Sequence, residues 1–103
     1  MTIKYFKKDV EQYTRHLRTL SKHTVANYRA DLGRFVEFVS SSGCKTWVDV
    51  DEKTARNYLA VCRRSGLAGR SISRHLSALQ GLFRWLKKER MIFNNPFCGL
   101  KAP

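Results

Sequence analysis

Acid is scarce in this 103-residue sequence: eight Asp and Glu stand against twenty Lys and Arg, a formal net charge of +12. A field of that sign attracts polyanions, nucleic acid or anionic lipid among them. Long apolar runs are missing too. None approaches the roughly 18 residues of a membrane-spanning helix, and the start MTIKYFKKDVEQY lacks the apolar centre of a signal peptide, so no membrane attachment is expected and the cytoplasm is the expected compartment. Cysteine occurs three times, at Cys44, Cys62 and Cys98, an odd number with no paired spacing. That argues against a disulfide framework and against a zinc site. His16, His23 and His75 are scattered without an H-x-x-x-H pair, and each is expected to be a surface or satisfied edge histidine. There is no glycine-rich phosphate loop and no nucleophile elbow, while Asp49, Asp51 and Glu52 suit a loop and a helix cap. Catalysis by this chain alone, a cofactor and a small-molecule substrate are therefore not expected.

What is present suffices for one folded domain. Hydrophobic residues make up 43% and charged ones 27%, an ordinary globular balance, and the length allows one modest core. Four stretches carry helical periodicity and none alternates as a strand would. The first, Phe6 to Leu20, places Phe6, Val10, Tyr13, Leu17 and Leu20 on one stripe. Ser21 is a good N-cap for the second, which runs to Ser41 with Val25, Tyr28, Leu32, Phe35, Val36 and Val39 sharing a face. Ser41, Ser42 and Gly43 supply its stop. Trp47 and Val50, in the loop that follows, are expected to plug the core. Asp51 can cap a third helix from Glu52 to Arg64, with Ala55, Tyr58, Leu59 and Cys62 inward and Gly66 just past its end. The fourth runs from Gly69 or Arg70 to Lys88, with Ile72, Leu76, Leu79, Phe83 and Leu86 spaced 4, 3, 4, 3. NNPFCGLKAP then reads as an exit loop or short turn. The fold class is all-α: four helices in two hairpins around one core, with room for a short fifth helix.

The fourth helix raises the functional question. With Ile72 at zero and about 100° per residue, Arg70, Arg74, Ser77, Gly81, Arg84 and Lys88 fall roughly 120–200° away, opposite the core stripe. Between Lys53 and Arg90 ten basic residues meet one acid, Glu89. A solubilising face is the bland account of such a stripe; the near-absence of acids favours polyanion binding. Gly81 costs a helix interior about 1 kcal/mol relative to Ala, and close approach of DNA would account for it. Ser71, Ser73 and Ser77 are small hydroxyls that would let the helix sit deep in a major groove. A membrane-surface role is disfavoured because the apolar face is needed for the core, Trp85 being the one anchor available.

The start of the second helix, SKHTVANYR, offers small and neutral residues around His23, Asn27 and Arg34, and Asn can read adenine bidentately. A helix-turn-helix over the third and fourth helices is a further geometric candidate: Cys62, Gly66, Leu67 and Ile72 fit it, while Ser65 and His75 stand where apolar residues are needed.

Three ordered motifs carry a resemblance over nearly the whole chain: S-x-x-T-x-x-x-Y-x-x-D-L-x-x-F-x-x-F at Ser21 to Phe38, G-L-x-x-R-S-I-x-R-x-L-S-A-L-x-x-x-F-x-W-L at Gly66 to Leu86, and N-P-x-x-G-L-x-A-P at Asn95 to Pro103. With these the sequence resembles the N-terminal core-binding domain of tyrosine recombinases of the Xer type, XerC-like in particular. The resemblance implies a SAM-like four-helix domain whose second and fourth helices cross the major groove of a recombination half-site. It places Thr24, Asn27, Arg70, Ser71, Arg74 and Arg84 at double-stranded DNA. His23, Ser77 and Lys88 join that set from the helical wheel. Partner protomers in a synaptic tetramer are implied for the full-length protein, through the first helix. The family cleaves with a tyrosine in a separate C-terminal domain, so residues 1–94 are expected to form the DNA-binding domain and 95–103 to begin the linker toward that domain. The alternatives are a basic protein-interaction module or a helix-turn-helix domain unrelated to recombination.

Overall fold

Four helices and one 3₁₀ turn make up the computed structural model, which describes residues 2–101. Ala102 and Pro103, the end of the third motif, lie outside those residues. The helices are α1 (Thr2–Arg15), α2 (Lys22–Ser41), α3 (Glu52–Arg64) and α4 (Gly69–Lys88), with the 3₁₀ turn at Trp47–Asp49. α1 lies along α2 and α3 against α4, giving two hairpins, and α2 and α4 pack across them. No strand occurs among the described residues.

The boundaries follow the local chemistry closely. Ser21 is extended at φ −64° and ψ 157°, and its Oγ accepts the Thr24 N–H at 3.1 Å, satisfying one of the unpaired donors at the start of α2. Asp51 does the same for α3 through the Thr54 N–H at 2.8 Å, and those bonds hold its carboxyl below the usual range. α3 closes with Gly66 at φ +85° while Leu67 N–H reaches back to the Cys62 carbonyl at 3.3 Å. α4 ends in the same way but with Arg90 at φ +62°, a conformation that costs a non-glycine residue something like 1 kcal/mol.

α1 departs from its expected length. It stops at Arg15, five residues before Leu20, which is exposed, while Leu17 is half-buried. His16 N–H and Leu17 N–H bond to the carbonyls of Tyr13 and Thr14, tightening the last turn, and His16 Nδ1 meets the Gln12 carbonyl at 2.8 Å. Residues 16–20 are then free to reverse the chain into α2. Only the Phe6, Val10, Tyr13 part of the stripe is buried.

The core centres on Phe35, fully buried, with edge-on rings from Tyr58, Phe83 and Phe97 at 5.0, 5.9 and 5.5 Å. Trp47 and Val50 are buried as expected; Trp47 sits against Phe6 and Phe83 and donates Nε1–H to Asp9 at 2.8 Å. Phe97 is fully buried although it falls in the stretch read as a linker from the sequence. Gln80 donates to the carbonyls of Phe97 and Leu100 at 3.2 and 3.0 Å, fastening that stretch to α4. In place of a fifth helix, residues 96–99 form a hydrogen-bonded turn.

Candidate nucleic-acid interface

α4 is surrounded on more sides than an amphipathic surface helix. Beyond the five stripe residues, His75, Ala78 and Leu82 are buried too, because α1 and α2 as well as α3 pack on it. On the roughly 100° per residue wheel the buried arc therefore widens on one side and pushes the solvent-facing arc round. Arg70, Ser77, Arg84 and Lys88 stay exposed, together with Ser73 and Lys87. Ser71, Arg74 and Gly81 fall at the half-buried edge. On α2, His23 and Asn27 are exposed. Thr24 is half-buried, its hydroxyl 2.9 Å from Ser21 Oγ.

Gly81 corrects the expectation set by the sequence. A Cβ there would run into the Tyr13 Oη of α1, so packing within the protein accounts for the glycine without an approach of DNA. Gly81→Ala is expected to destabilise by about 1–3 kcal/mol through overpacking, although helix propensity alone would give a gain of about 1 kcal/mol. Tyr13→Phe removes the obstructing oxygen and should restore most of the loss, which thermal melts of the single and double variants would measure.

His75 corrects a second one. It is neither surface nor edge but buried at 2% exposure, where it joins three helices. Its Nε2 lies 3.1 Å from Asp31 Oδ1 on α2, and its Nδ1 lies 3.0 Å from Tyr58 Oη on α3. An ionised Asp31 can only accept, so Nε2 carries the proton and Nδ1 accepts from the Tyr58 hydroxyl. Asp31, itself buried, also takes Arg74: Nε to Oδ2 at 2.7 Å and Nη2 to Oδ1 at 3.0 Å. That pairing holds the Arg74 guanidinium more firmly protonated.

Burial lowers the His75 pKa from its ordinary 6.5, outweighing the pull of Asp31 and aided by Arg74 and Arg34. With the folded value below the unfolded one, the unfolded chain binds the proton first as pH falls. The stabilisation is complete above 6.5 and is lost as pH drops from there through the lower folded value. Urea midpoints are expected to fall between about pH 7.5 and pH 5.5, and His75→Gln should flatten that part of the profile. An unchanged slope in the variant would assign the effect to other groups.

The signals for this cluster were in the sequence. Tyr28, Asp31 and Phe35 are spaced 3 and 4, as are Ile72, His75 and Leu79, which sets a polar residue on each core face. Burial also pushes the Tyr13 and Tyr58 hydroxyls up, so both stay protonated near neutral pH. Among the described residues no group of three or more His, Cys, Asp or Glu is placed to hold a metal ion, and no helix is long and apolar enough to cross a membrane.

The family model described as phage integrase, N-terminal SAM-like domain, matches residues 10–90. The chain belongs to that family. Tyrosine recombinase XerC of Shigella flexneri is 38% identical over 98 residues, covering 92% of this chain and 33% of that protein. Tyrosine recombinase XerC of Escherichia coli (strain SMS-3-5 / SECEC) gives the same figures. This is thus an XerC-like N-terminal domain, spanning about a third of the length of the curated relatives it matches. No solved structure matches it. The integrase SAM-like match takes in all of α2, α3 and α4, and with them the exposed cations of α4 and the buried cluster that ties α2 to α4.

Proposed function

We propose that this domain binds double-stranded DNA at a recombination half-site, as the N-terminal half of the clamp of a site-specific tyrosine recombinase. The observation that carries the reading is the exposed cationic arc of α4, Arg70, Arg84 and Lys88, on a helix that the core anchors along its whole length. Anchoring matters because a fixed helix can aim its cations at phosphates. Ser77 on the same arc, with Ser71 at its edge and His23, Thr24 and Asn27 at the start of α2, supplies short groups for close docking and base contacts. The family membership supports DNA as the polyanion, and the cytoplasm, at the nucleoid, as the place of action.

Cleavage and strand transfer belong, in this reading, to a C-terminal domain of the full-length recombinase, and the domain acts by binding alone. Partner protomers in a synaptic tetramer complete the assembly; Tyr5 of α1, 72% exposed, is a suitable contact for one of them.

Fluorescence anisotropy with a labelled duplex over a range of salt tests the proposal. If about four to six phosphates are neutralised, the log–log slope of affinity against salt is roughly −4 to −5. An affinity that stays flat with salt would remove the electrostatic basis of the reading. Binding to an acidic protein in the absence of any duplex affinity would favour an interaction module.

A further inference from the structure

Resting on the duplex-binding reading, we propose that Arg74 is the base-reading residue of this surface, with Asp31 and His75 as its positioning residues, and that its target is the major-groove edge of a guanine. A guanidinium has five N–H donors in a planar fork. Asp31 takes the Nε–H and one Nη2–H. Three N–H remain, and two of them form the end edge, the outward N–H of each terminal nitrogen. That edge offers two parallel donors from one rigid plane, which is the complement of the guanine O6 and N7 acceptors.

Two features separate Arg74 from the cations around it. The first is fixation. Its side chain is 40% exposed while that of Asp31 is 5% exposed, and Asp31 is held in turn by His75 and His75 by Tyr58, so the guanidinium plane is set before any ligand arrives. Little rotamer entropy remains to be lost on binding. The second is charge. A carboxylate lies against Arg74, so a phosphate approaching it meets a nearly neutral pair, and the Coulombic gain available at Arg70, Arg84 or Lys88 is largely cancelled. The directional hydrogen bonds are not. Arg74 is thus a poor phosphate neutraliser and a good reader, whereas its exposed neighbours are the reverse.

The two kinds of contact have different signatures. A phosphate contact contributes about one unit to the salt slope and weakens all sequences alike when removed; a bidentate base contact changes preference at one position. The protein and its Arg74→Lys variant would each be taken through selection from a pool of duplexes with a randomised central stretch, followed by salt titration on the selected duplex. Lys retains a charge beside Asp31 but not the planar fork.

The expected result is that the wild-type protein enriches a guanine at one position and that Arg74→Lys loses this preference by roughly ten- to a hundredfold with its salt slope unchanged. Replacing that guanine by 7-deazaguanine, which lacks the N7 acceptor, should weaken the wild type and leave Arg74→Lys unaffected. Asp31→Asn, if its melting shows it folded, should lose the same preference with Arg74 still present. An Arg74→Lys protein that keeps the sequence preference, or whose salt slope drops by about one unit, overturns the proposal and makes Arg74 a phosphate contact. Failure of the wild type to bind any duplex would instead sink the duplex-binding reading itself.

Discussion

Phe35→Ala is expected to cost about 3–5 kcal/mol, enough to leave a domain of ordinary stability largely unfolded. The size follows from what the ring joins. Phe35 lies on α2, yet its neighbours Tyr58, Phe83 and Phe97 come from α3, α4 and the C-terminal turn, so one truncation opens a cavity shared by three helices and that turn. Little can collapse into it, because Tyr58 is also packed on Phe38 and His75, and Phe83 and Phe97 pack on each other. Phe38, one turn along and half-buried, stacks on Phe35 at 6.4 Å and should cost clearly less when truncated. Urea unfolding followed through Trp47 and Trp85 fluorescence compares the two. Equal losses would mean that Phe35 is not the centre of the core.

Replacing Arg70, Arg84 and Lys88 together by Ala is expected to weaken duplex binding roughly a hundredfold at about 0.15 M salt, with the salt slope reduced by about 2 to 3 units. All three side chains are exposed, so the melting behaviour should move by no more than about 0.5 kcal/mol. A matched triple on α3, Lys53→Ala with Arg63→Ala and Arg64→Ala, removes the same charge from another exposed surface. If binding follows the α4 face, the α3 triple retains most of the affinity. If the two triples lose equally, net charge and not a docking face governs binding, and the proposed interface is wrong.

How far the sequence could be read differs from residue to residue, and the reason is whether the deciding contact is local. Ser21, Asp51 and Gly66 announce their caps because each bonds to backbone three residues away. The bounds of α3 and α4 and the inward stripe of α4 were legible for the same reason. The early end of α1 was not, since the stripe continues through Leu17 and Leu20 while the hairpin into α2 requires those residues for the turn. Phe97 gave no periodic signal at all, lying in an Asn-, Pro- and Gly-rich stretch, and is buried only because Gln80 and the rings of α2 and α4 receive it.

The surface shows the same division. The exposed cations Arg70, Arg84 and Lys88 follow from helical phase alone, because water is their only necessary neighbour. Arg74 and Gly81 share that phase to within about 80°, yet the packing of α1 and α2 on α4 takes both out of the open stripe. Sequence by itself determined four amphipathic helices, the caps of α2 and α3 and an excess of positive charge in the second half, since these depend on neighbours within a turn or two. Only the tertiary structure decided that Gly81 makes room for Tyr13, that Phe97 belongs to the core, and that Asp31 and His75 hold Arg74. Those contacts join residues 14 to 68 positions apart, and their partners are chosen by which faces the folded helices bring together.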